Sequence, residues 1–69
     1  MSLNDFIKLM LQLFNGELPY RVEFNLCDED GEEYIVINDI ADLGKMLENN
    51  ISTHRIPEYV VQILSITTR

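Results

Sequence analysis

The chain has one cysteine, one histidine, no tryptophan, two prolines and three glycines in 69 residues. A lone cysteine excludes an intramolecular disulfide. One cysteine and one histidine cannot furnish a structural zinc site, whose four ligands are mostly Cys or His. Cations are scarce too: five Lys and Arg stand against twelve Asp and Glu, a formal charge of −7. Lys8, Arg21, Lys45, Arg55 and Arg69 are dispersed along the sequence. With no basic cluster to meet phosphates, the expectation is no direct contact with nucleic acid. No apolar run reaches the roughly 18 residues of a membrane span. No basic segment followed by a small-residue cleavage site marks a signal peptide. Low cysteine usage fits a reducing compartment, so a cytoplasmic location with no membrane contact is expected.

What remains is ordinary globular composition, 46% apolar and 25% charged, read as one domain over 1–69. A domain of this size buries only about 60% of its unfolded surface and is marginally stable. With disulfide and zinc excluded, a well-packed core or self-association must supply the support.

The spacing predicts a helix over 3–14. Leu3, Phe6, Ile7, Met10, Leu11 and Phe14 recur at the helical period. Ser2 is the expected N-cap with Asp5 as its capping-box partner, and Gly16 the expected stop. Leu9 and Leu13 widen the apolar arc to roughly 200° at about 100° per residue. That width fits either a helix sunk into a concave sheet or an apolar interface through Leu9 and Leu13, as in a homodimer.

Pro19 is expected to open a strand in which Tyr20, Val22, Phe24 and Leu26 alternate with Arg21, Glu23, Asn25 and Cys27. Asp30-Gly31 signals a hairpin, with the return strand over 32–37. A two- or four-residue loop places Ile35 and Ile37 on the face of Phe24 and Leu26. A three-residue loop would turn Tyr34 and Val36 there instead. Burial of two isoleucines favours the first register. Asn38 or Asp39 caps a second helix with the stripe Ile40, Leu43, Leu47 and Ile51, and Gly44 on that stripe would permit close approach to the sheet. Over 59–67, β-branched residues favour a strand, although Pro57 and the spacing of Ile56, Tyr59, Val60, Ile63 and Leu64 also fit a helix. The expected fold class is therefore a two-layer α+β domain, order α-β-β-α-β. It carries an antiparallel hairpin (20–27, 32–37) and a C-terminal strand packed against two helices; the alternative makes the last element helical.

Chemistry-bearing residues are few. His54 stands alone between Thr53 and Arg55, which reads as a surface loop. Cys27 lies beside several carboxylates, whose charge raises a thiol pKa and makes a poor nucleophile. There is no Gly-rich phosphate loop and no nucleophile elbow. The expectation is a non-enzymatic protein without cofactor or metal.

The densest feature is Asp28-Glu29-Asp30-Gly31-Glu32-Glu33, five carboxylates in six positions. Asp28-x-Asp30-Gly31 matches part of a calcium loop, but Leu26 stands where an oxygen ligand is wanted. A solvated turn that blunts a sheet edge is one reading. The other is a docking surface for a basic partner, flanked by Asp39 and Asp42 and extended by Glu23. Carboxylates spaced along a surface can imitate the phosphates of DNA and occupy the basic channel of a nucleic-acid-binding protein. The layout is a short helix, a strand, the acidic hairpin Asp30-Gly31-Glu32-Glu33-Tyr34-Ile35-Val36-Ile37 and then a helix. It resembles in pattern the small acidic inhibitors that phages direct at nucleases. That resemblance implies an acidic inhibitor acting as a nucleic-acid mimic. The alternative is a self-associating module built on the apolar helix.

Overall fold

A computed structural model describes residues 1–16 and 20–69. Helix α1 (Leu3–Leu13) is followed by strands β1 (Tyr20–Asp28) and β2 (Gly31–Ile37) and helix α2 (Ile40–Asn50). A 3-10 helix (Thr53–Glu58) then leads into strand β3 (Val60–Thr68). The expected α-β-β-α-β order is present, and the ambiguous tail is a strand. Of its helical signal only Ile56 and Pro57 lie in the short 3-10 helix; Val60, Ile63 and Leu64 lie in the strand. Pro19, expected to open β1, lies outside the described residues.

The sheet order is β2-β1-β3, antiparallel throughout, so β1 is central. Phe24 lies opposite Ile35 and Val22 opposite Ile37. This is the register that buries the isoleucine face. Asp28 pairs with Gly31, so the loop centre is Glu29–Asp30 and not the expected Asp30–Gly31. Neither central residue has positive φ, which excludes the primed turns common in two-residue hairpins. The positive φ falls on Gly31, at 142°, a region an L side chain rarely adopts. The turn is held instead by Asp28, whose Oδ1 accepts from the Asp30 N–H at 2.9 Å, an Asx turn.

Both helices pack on one face of the sheet. Val22, Phe24 and Leu26 of β1 meet Leu3, Phe6 and Met10 of α1, with Ile37, Leu43, Met46, Tyr59 and Val61 completing the buried core. Phe6 and Phe24 are fully buried, their rings 4.5 Å apart and tilted by 45°. Such a pair adds about 0.5–1.5 kcal/mol beyond its burial.

Four details depart from expectation. In α1 the buried face is rotated toward Leu9 and Leu13, which pack half-buried against the core, while Leu11 is left 51% exposed. In α2 Met46 takes the inward position and Ile40 is exposed. Gly44 is exposed, and a Cβ there would meet nothing within 4 Å, so it serves no close approach. The stop of α1 also differs. Phe14 closes it in helical conformation with its N–H donating to the Met10 carbonyl, and Gly16 has no positive φ.

Both N-cap side chains are in place, although the Asp5 carboxylate makes no return bond to the Ser2 N–H. Ser2 Oγ accepts from the Asp5 N–H at 3.2 Å. Asp39 Oδ1 accepts from the Asp42 N–H at 2.8 Å, and Asp42 Oδ2 reaches back to the Asn38 N–H at 3.0 Å. This is a variant of the capping box in which the return bond falls on the residue before the cap.

Two stability measurements check this packing. Gly44→Ala should stabilise by about 0.5–1 kcal/mol, because the helix gains a better former without a clash. Phe24→Ala should cost about 3–5 kcal/mol, most of a small domain's stability. Urea unfolding followed by circular dichroism reads both. A neutral result at Phe24 would contradict the core described.

Candidate functional site

The hairpin places its acidic residues at one end of the molecule. Six of the chain's 12 carboxylates gather there: Asp28, Glu29, Asp30, Glu32 and Glu33, joined by Glu58 from the 3-10 helix. Strand alternation distributes them. Glu33 lies opposite Leu26 on the helix-covered side, and Glu32 lies opposite Cys27 on the bare side.

Arg55 is the organising cation. Its Nη2 lies 3.0 Å from Glu29 Oε1, its Nη1 3.6 Å from Asp30 Oδ2, and its Nε 2.9 Å from Glu58 Oε2. The guanidinium thereby ties the hairpin tip to the 3-10 helix. Its pKa is raised, first by the hydrogen bond to Glu58 and then, against some desolvation, by the charges of Glu29, Glu58 and Asp28. Glu33 Oε2 accepts from Asn50 Nδ2 at 2.6 Å, which ties β2 to the end of α2. Tyr59, buried in the core, accepts from the Ser52 N–H through its hydroxyl at 3.2 Å.

These ties frame an open cavity of about 260 Å³ beneath the hairpin. Asp28, Asp30, Glu32 and Glu33 line it with Leu26, Gly31, Asn50 and Tyr59. It is smaller than the roughly 300–1,000 Å³ of typical small-molecule sites. Its chemistry is an acidic rim over an apolar floor, suited to one long cationic side chain whose methylenes also need cover.

The flanking acids are elsewhere. Asp39 and Asp42 sit past the far end of β2, at about 3.4 Å per residue roughly 20 Å from the hairpin tip, and the molecule is 35 Å long. Their carboxylates serve the α2 cap. Glu23, on the bare sheet face, accepts from Arg21 at 3.0 Å and from Ser65 at 3.0 Å. Those bonds, the Arg21 one foremost, hold its carboxyl below the usual range. Leu9 and Leu13 lie on α1, half-buried against the core.

Sequence reading missed Arg55, Asn50, Glu58 and Tyr59. Arg55 and Glu58 at i, i+3 signal a local pair, but nothing in the sequence joins Arg55 to a hairpin 26 residues away. Cys27 is half-buried on the bare face, its Sγ 3.8 Å from Glu32 Oε2. Burial pushes its thiol pKa up, and the Glu32 charge adds to the shift. His54 is exposed on the 3-10 helix. Among the described residues no group of three or more His, Cys, Asp or Glu is placed to hold a metal ion. Among the described residues no helix is long and apolar enough to cross a membrane.

No family model matches this chain, and neither a curated protein nor a solved structure matches it.

The Cys27 environment gives a direct test. A raised pKa means less thiolate at a given pH and slower alkylation. Iodoacetamide at pH 8 should modify Cys27 more slowly than free cysteine, and Glu32→Gln should accelerate it. An unchanged rate in the variant would show that the Glu32 charge does not reach the thiol.

Proposed function

We propose that the chain is a non-enzymatic binding protein that docks its acidic hairpin end on a basic protein surface. The observation that carries this reading is the open acidic cavity at that end. Four acidic residues line a concavity sized for a Lys or Arg side chain, the Glu32 carboxylate turning to the bare face beside Cys27, and Glu29, 73% exposed at its side chain, stands beside it. Arg55 answers only part of this charge, so a surplus of carboxylates remains for a partner. The basic groove of a nucleic-acid-binding protein has the matching chemistry, which makes inhibition by nucleic-acid mimicry the specific form of the proposal. The field of the whole molecule, at −7, would steer such a partner toward the acidic end.

Self-association through Leu9 and Leu13 has less support, because both side chains already pack on the core. Leu11 is the residue of α1 that offers apolar surface.

The test is capture from a lysate of the source organism by wild type and by a variant in which Asp28, Glu29, Asp30, Glu32 and Glu33 become Asn or Gln. Asp28→Asn retains a carbonyl for the Asx turn. A partner retained by wild type alone, and released by moderate salt, is the expected result, since exposed charges are screened over about 8 Å at physiological ionic strength. Equal capture by both proteins would refute docking through the acidic end. Leu11→Asp should leave capture unchanged; loss of binding there would move the interface to α1.

A further inference from the structure

The two edges of the sheet are not alike. On β3 the Val61 N–H donates to the Met1 carbonyl at 2.7 Å, and the Val61 carbonyl accepts from the Met1 nitrogen at 2.9 Å. Ser2 bridges Val60 on the same side. Further along, the register with β1 skips Leu64 between Ile63 and Ser65, a bulge that spoils a template for further pairing. This edge is partly covered and irregular.

The same bonds fix the orientation of β2. Both polar groups of a residue in an antiparallel ladder point to one side, and the side alternates along the strand. Val61 points away from β1, so Leu26 opposite it directs its own groups to β2 and bonds Glu33. The β1–β2 ladder runs without a skip from Asp28–Gly31 to Val22–Ile37. Ile35 and Ile37 therefore also bond β1, while Glu32, Tyr34 and Val36 turn N–H and C=O outward. Among the described residues no backbone bond occupies those groups. Tyr34, 55% exposed, stands at the middle of this edge.

Charge indicates what fits there. The uncharged run Tyr34–Ile37 is bracketed by Glu32 and Glu33 at one end and by Asp39 and Asp42 at the other. A second copy running antiparallel along this edge would set each hairpin's glutamates against the other's Asp39–Asp42 end, and like charges so placed are destabilising. A strand with cations at both ends has the opposite outcome.

We propose that the open edge of β2 accepts an extended segment of a basic protein as a fourth strand, apolar in its middle and carrying Lys or Arg at each end. Backbone bonds to Glu32, Tyr34 and Val36 set its register, and its first cation reaches the cavity beneath the hairpin. The inference rests on the reading of the acidic end as a docking site and names the form of the partner.

The probe is a synthetic ten-residue peptide, two lysines at each end of an alternating Val-Thr centre, titrated at low salt into nitrogen-15-labelled protein. The expected result is binding with slowed amide exchange at Glu32, Tyr34 and Val36. Methylating alternate backbone nitrogens of the peptide along one edge keeps its charge but removes donors, and should weaken binding about tenfold or more. Tyr34→Pro removes an outward N–H without touching the bonds to β1 and should abolish the protection. The methylated peptide, used on wild type, keeps the test valid if that variant fails to fold. Equal affinity for both peptides, without amide protection, overturns the edge assignment and leaves docking by charge alone. Failure of both to bind also overturns it, while the capture experiment with the amide variant decides the acidic end separately.

Discussion

The whole molecule depends on the inner face of β1. Val22, Phe24 and Leu26 are buried there, and β1 is the strand paired on both sides. A three-stranded sheet with helices on one side has a single apolar layer to stabilise it. A chain this short has no second core to fall back on. Phe24 against Phe6 sits at the centre of that layer. Each other element can be read by how it serves this contact. α1 brings Phe6 and Met10, β2 and β3 complete the sheet around Phe24, and α2 closes the β2 side with Leu43 and Met46. Because the core consumes one face only, the other face mixes polar groups with the exposed Tyr34 and Val60, and the hairpin end is left to charge and hydrogen bonding.

The sequence made much of this legible, for a physical reason. Alternation along 20–26 and the acidic turn determine which face of the hairpin is buried, because a one-residue slip would exchange Ile35 and Ile37 for Tyr34 and Val36. The caps were legible because Ser2 and Asp39 have few other ways to satisfy the free N–H groups of a helix start. The rotation of α1 was not legible. Its apolar arc is so wide that Leu9, Leu11 and Leu13 are near-equivalent in sequence, and only the sheet's shape decides that Leu11 stays outside. Gly44 misled in the same way, since a glycine on an apolar stripe looks the same whether or not anything approaches it. The tail mixed two signals because it contains two elements, a 3-10 turn around Pro57 and a strand after it.

The acidic residues divide by what the fold asks of them. Asp39 and Asp42 spend their oxygens on the start of α2. Glu23 is committed to Arg21 and Ser65. Asp28 holds the turn, and Glu33 holds Asn50. The sequence made the Asp39 cap legible but not the bonds of Glu33 to Asn50 and of Glu23 to Ser65, whose partners lie 17 and 42 residues away. Arg55 illustrates the point. It reads as an isolated cation beside a lone histidine, yet it bridges three carboxylates from two elements. Without it the hairpin tip would carry like charges with no counter-ion, so the clamp makes a dense acidic turn compatible with a defined cavity.

A carboxylate cluster alone selects poorly among basic proteins, since screened charge attracts any cation within reach. Selectivity requires something with direction. The edge of β2 has it: Glu32, Tyr34 and Val36 present donors and acceptors at the fixed spacing of a strand, while the opposite edge, on β3, is partly covered by Met1–Ser2 and broken by the bulge at Leu64. Charge would bring a partner to this end and the backbone would set its register, a division of labour in which mutating carboxylates changes chiefly the association rate. Blocking the edge would change chiefly how long a complex lasts. The acidic turn and the bare strand beside it are then two parts of one surface, joined because the hairpin that carries the charge also leaves its outer strand unpaired.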